Sequence, residues 1–81
     1  MHPNQEARRA MLEMCYNSLR SDCKPGNKSP GLLAESNLRR TFPDDFDFHL
    51  EVLLRLGQIE RSGYKLRITG TGILAVEAQA E

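Results

Sequence analysis

The sequence predicts a mainly helical domain with a small β-hairpin, and three observations predict it. Leu50, Leu53, Leu54 and Leu56 recur at helical spacing and stop at Gly57, where a helix end calls for a residue that tolerates positive φ. Ile59 and Arg61 then alternate, Ser62-Gly63 turns the chain, and Tyr64, Leu66 and Ile68 resume the alternation of a half-buried strand. Upstream, Ala7, Met11, Met14, Cys15 and Ser18 share one helical face, widened by Leu12 and Leu19.

These signals order the chain as follows. Asn4 caps a helix over residues 5–20, with Arg9 and Glu13 as neighbours on its solvent side. Residues 21–31 form a loop rich in turn formers, Pro25-Gly26-Asn27 and Ser29-Pro30-Gly31, made mildly basic by Lys24 and Lys28. Leu32-Leu33-Ala34 reads as a short strand or the first turn of a helix. The strand is favoured because Ser36 can cap a short helix over 36–42 that buries Leu38 and Phe42. Phe46, Phe48, Leu50 and Val52 alternate like a strand, but the segment is too long for one and opens on Pro43-Asp44-Asp45. A helix over 45–56 brings Phe46, Leu50, Leu53 and Leu54 within an arc of ~80°. The hairpin spans 58–68. Thr69 caps a last helix over 70–77, and the tail from Ala78 to Glu81 is expected to fray.

The chain has 81 residues, one domain over 1–81, with 11 basic and 11 acidic side chains. A core this small is marginal, so pairing with a second copy is a plausible source of stability. A nucleic-acid binder usually shows a basic excess, so such binding here requires charge segregated onto one face. Cys15 falls on the apolar face of the first helix and Cys23 in the loop. With only His2 and His49 as histidines, no zinc-ligand spacing exists. No cofactor is expected. No apolar run can span a bilayer and Met1–Glu6 has no signal-peptide character, so a cytoplasmic location with no membrane partner is the expectation.

The order helix, strand, helix, helix, hairpin, helix (α1-β1-α2-α3-β2-β3-α4) resembles the winged helix-turn-helix family. Over roughly residues 33–77 it is most similar to small MarR/PadR-type prokaryotic regulators. Leu53, Leu56, Gly57, Ile59, Arg61, Tyr64, Leu66, Ile68, Thr69 and Gly72 carry the resemblance. It implies a third helix lying in the DNA major groove, a hairpin wing on the backbone or minor groove, and a second helix crossing the phosphates.

The residues divide between two functions. Arg61, Lys65 and Arg67 are assigned by strand parity to one wing face, with Arg39 and Arg40 beside them, a set suited to phosphate contacts with duplex DNA. Arg55 is the one base-reading type on the third helix. Against that, Asp44, Asp45, Asp47 and Glu51 would meet phosphates and be repelled. DNA binding of the regulator type is the leading expectation; the alternative is that Phe48, Val52 and Glu51 form a protein interface, either for another protein or for a homodimer, unless the first or last helix covers Phe48 and Val52. Tyr64 is expected to pack. His49 lies among Asp45, Asp47 and Glu51 but has no nucleophile or orienting partner. Thr69-Gly70-Thr71-Gly72 fits a helix start better than a phosphate loop, so no enzyme activity is expected.

Overall fold

The computed structural model describes residues 2–78. It contains α1 (Pro3–Asp22), β1 (Leu33–Ala34), α2 (Glu35–Thr41), α3 (Phe46–Arg55), β2 (Ile59–Ser62), β3 (Lys65–Ile68) and α4 (Gly70–Ala78). Four helices surround a three-stranded antiparallel sheet of order β1-β3-β2. The expected order of elements is present. Ala78 still belongs to α4, and residues 79–81, the rest of the tail expected to fray, lie outside the described residues.

α1 starts earlier than expected, because Pro3 occupies the first helical position and the His2 ring, not Asn4, accepts from the Asn4 backbone N–H at 3.1 Å. Proline there lacks an N–H that the helix would leave unpaired anyway. α1 buries Met11, Leu12 and Cys15, and burial pushes the Cys15 thiol pKa up to about 11. The loop after it is tied to the helix end. Asn27 donates to the Asp22 carbonyl at 2.8 Å, and the Gly31 N–H donates to the Asp22 carboxylate at 3.1 Å.

α2 begins at Glu35, directly after Ala34, so Ser36 is not its cap. The sheet replaces the missing cap: the Glu35 N–H donates across to the Tyr64 carbonyl at 3.3 Å. α3 starts one residue later than expected, after Asp45, which stands in the left-handed region at φ 53° and caps with no side-chain bond. The inward face of α3 carries Phe46, His49, Leu50 and Leu53. Leu54, expected inside, is half-buried, and His49 takes the place beside α1.

The stop after α3 is a Schellman turn. The Gly57 N–H donates to the Leu54 carbonyl at 3.1 Å and the Gln58 N–H to the Leu53 carbonyl at 3.0 Å, with Gly57 at φ 72°. The hairpin turns on Gly63-Tyr64, one residue later than expected, with Gly63 at φ 63° and Ser62 paired to Lys65. This two-residue turn suits the twist of the strands. It also places Tyr64 at the tip, 93% exposed rather than packed. Leu66 and Ile68 are buried as expected.

Thr69 joins three elements. Its hydroxyl donates to the Gly57 carbonyl and accepts from the Gly72 N–H at 3.2 Å, so it caps α4 as expected. α4 seats so closely on the α3–β2 link that a Cβ on Gly72 would lie 2.2 Å from the Gln58 carbonyl oxygen and 2.6 Å from Ile68. The far end of α4 is held by the Tyr16 hydroxyl, which donates to Glu77 at 2.8 Å. Gly72→Ala therefore forces backbone apart and is expected to lower stability by about 1–3 kcal/mol. A urea titration checks this: the midpoint falls with an unchanged slope, and an unchanged midpoint would refute the contact.

Candidate interaction surface

The six basic candidates do not form one patch. Ser62 pairs with Lys65, Arg61 with Leu66 and Glu60 with Arg67. Partners across an antiparallel ladder project to the same side. Lys65 and Arg67 therefore share one sheet face, while Arg61 lies on the face of Leu66. The parity expected for Arg61 fails because a two-residue turn pairs odd positions of β2 with even positions of β3, wherever in 62–64 it falls.

Four of the six cations are held by carboxylates. Arg61 donates to Glu35, a residue on α2. Arg39 contacts the other Glu35 oxygen at 3.4 Å and Asp47 at 2.8 Å, with its guanidinium 4.6 Å above the Phe46 ring. A chain of charge thus runs Arg61–Glu35–Arg39–Asp47 and ties the wing to α2 and α3. Arg55 pairs with Glu51 at 2.8 Å within α3, and Arg67 pairs with Glu60 across the hairpin. Among the described residues, Arg40 and Lys65 have no ion-pair partner. From Glu35 to Arg67 the chain carries six cations and six carboxylates, so this side of the molecule has no basic excess.

The outward side of α3 has a different character. Phe48, Val52 and Leu56 stand four residues apart and form one ridge. Phe48 is 53% and Leu56 55% exposed, with Val52 half-buried. Phe48 and Val52 are the residues the sequence marked. Leu56, grouped there with Leu50, Leu53 and Leu54, is the member it missed, although the spacing of four was legible. Asp47 and Glu51 run along one edge of the ridge. On the other edge lies the first half of α1. There Arg8 approaches the buried His49 ring at 3.5 Å, and Gln5, Arg8 and Arg9 line a cleft of about 220 Å³ with Leu56 and Val76.

The acid–base pairing imaginable for His49 does not form. His49 is buried against Arg8 and the Phe48 ring, while Asp47 and Glu51 face arginines. Among the described residues no cluster of His, Cys, Asp or Glu could hold a metal ion, and no helix is long and apolar enough to cross a membrane. Comparison with family models, with curated proteins and with solved structures gives no significant match.

Glu35 is the hinge of the charge chain. The Arg61 hydrogen bond, more than the opposing burial, holds its pKa below the usual carboxylate range, and the charges of Arg61 and Arg39 add to this. A lowered folded-state pKa contributes stability above the unfolded value of about 4.3, and that contribution is lost as pH falls through the lower folded value. Carboxyl NMR titration should place the Glu35 midpoint below ~4.3 in the native protein and return it toward that value in Arg61→Gln. A midpoint unmoved by the substitution would dissolve the link between wing and α2.

Proposed function

We propose that the chain is a winged-helix domain whose third helix docks protein instead of reading DNA. The order α1-β1-α2-α3-β2-β3-α4 with β1 added to β3 supports the winged-helix assignment. The outward face of α3 carries the docking assignment. Where a DNA reader presents Arg, Lys, Asn or Gln, this helix offers an apolar ridge led by an exposed Phe48, bordered by Asp47 and Glu51. Inserting that face between phosphates would desolvate carboxylates against like charge. Arg55, the single base-reading type there, is engaged by Glu51.

Phosphate contact by a wing is the second reading. It is favoured by Arg40 and Lys65, both exposed and outside the ion pairs above. Titration of a labelled duplex at low salt separates the two. Docking of protein predicts no affinity beyond the non-specific range of about 10⁻⁴–10⁻⁶ M. A tighter complex that weakens steeply with salt, and again in Arg40→Gln or Lys65→Gln, would overturn the docking assignment.

A further inference from the structure

We propose that the cleft between the first half of α1, the end of α3 and α4 binds a small free carboxylic acid with a short aliphatic chain, taken as its anion. The proposal goes beyond the docking reading of α3 and does not depend on it. A chain that docks no protein can still hold the acid, and one that docks protein can lack it.

The cleft has a volume of about 220 Å³ and is partly open to solvent. Its floor is made of side chains that the core already buries: Leu12 of α1, Leu53 of α3 and Val76 of α4. Leu56 and Ala75 continue this apolar wall toward the surface. Leu56 is more than half exposed, so it keeps apolar area in water that a ligand would cover. The polar part of the lining comes from Gln5, Arg8 and Arg9 on α1 and Gln58 on the link after α3. These are two guanidiniums and two amides, with no carboxylate among the described lining residues. An aliphatic floor under a set of N–H donors suits a molecule with one apolar part and one acceptor head.

Arg8 decides the charge of that head. It is partly buried, and Nη1 lies 3.5 Å from the His49 ring. Among the described residues it is in ion-pair contact with no carboxylate. A guanidinium carries five N–H donors in a planar fork. The ring engages Nη1, which leaves the Nε–Nη2 edge, a pair of parallel donors that matches a carboxylate in two hydrogen bonds. Arg9 is joined to Glu13 at 3.1 Å, so it adds donors to the cleft and no net charge. One uncompensated cation calls for one negative charge, a monocarboxylate in preference to a phosphate dianion. The apolar part is aliphatic because no aromatic ring lines the cleft and none can stack on a planar body. The volume is below the about 300–1,000 Å³ of a site for drug-sized ligands, so the body is short. A ligand this small in an open cleft binds with a Kd on the order of 0.1–1 mM.

Sodium hexanoate, titrated into the isotope-labelled full chain at constant ionic strength and followed by two-dimensional amide NMR, tests the site. Shifts should saturate, centre on Gln5, Arg8, Leu56, Gln58 and Ala75, and give a Kd on the order of 0.1–1 mM. Hexanamide has the same body without the charge, and acetate has the charge without the body. Each should bind roughly tenfold or more weakly. Arg8→Gln should cost hexanoate about the same factor and leave hexanamide unchanged, a difference that a mere loss of packing would not produce. Ala75→Leu fills the cleft while keeping Arg8, and it should weaken hexanoate and hexanamide together. Should Arg8→Gln not fold, Ala75→Leu and the comparison of hexanoate with hexanamide still decide. Shifts that do not saturate, or that fall outside the cleft, overturn the proposal. So does hexanamide or acetate binding as well as hexanoate, and so does hexanoate affinity unchanged in Arg8→Gln or in Ala75→Leu. The duplex titration bears on the docking reading alone, so each can fail without the other.

Discussion

The structure depends on the contact between α4 and the link that follows α3. Gly72 leaves no room for a side chain against the Gln58 carbonyl, and the Thr69 hydroxyl bridges the Gly57 carbonyl to the Gly72 N–H. The Thr69 N–H also donates to the Gln58 carbonyl at 3.0 Å. The end of α3, the start of β2, the end of β3 and the start of α4 are thereby held at one point. A Schellman turn gives the direction in which the chain leaves α3, and Ile59 paired with Ile68 opens the ladder there. With β2 and β3 fixed, β1 adds to the free edge of β3, with Leu33 opposite Leu66. The rotation of α3 about its own axis, and so the identity of its outward residues, follows from a joint made of backbone and one hydroxyl.

The charges form a second layer over this joint and do not create it. Surface ion pairs of this kind contribute roughly 0–1 kcal/mol each. Their larger effect is on what the surface can bind. Glu35 engages two arginines from different elements, and Asp47 engages one of them again. A phosphate approaching Arg39 or Arg61 would have to displace a carboxylate already in place and then lie beside it. The bridges hold the wing to α2 and leave it close to electrically neutral.

Where the sequence could be read, a local backbone rule was sufficient. Gly57 after the last leucine, Thr69 ahead of α4 and the inward Leu66 and Ile68 needed no knowledge of the fold. The misreadings arise where something distant decides. Ser36 is a good cap in isolation, yet the strand runs into α2 and the Tyr64 carbonyl takes the first N–H. Moving the hairpin turn by one residue sends Tyr64 to the tip, and because a two-residue turn pairs odd positions of β2 with even positions of β3, Arg61 shares the face of Leu66 and not that of Lys65 and Arg67. The Arg61–Glu35 pair spans 26 positions, so the basic set looked continuous in the sequence and is interrupted in the fold. On α3 a small rotation exchanges His49 for Leu54 on the inward side. Burial of His49 needs a polar neighbour, and Arg8 provides one from a helix 41 residues away, a pairing no local pattern announces.

That rotation bears directly on the ridge. With Phe46, His49, Leu50 and Leu53 inward, the stripe at Phe48, Val52 and Leu56 falls on the flank between the buried face and the charged face. A single exposed apolar residue on a helix is ordinary, whereas three in line at a spacing of four make a continuous apolar patch on that flank. An exposed aromatic ring contributes little to the stability of the monomer, since more than half of its surface stays in water. Phe48 is likewise of little use to a groove reader, having no donor or acceptor for a base edge. The exposed ring on that flank is therefore the feature on which the docking reading of α3 rests.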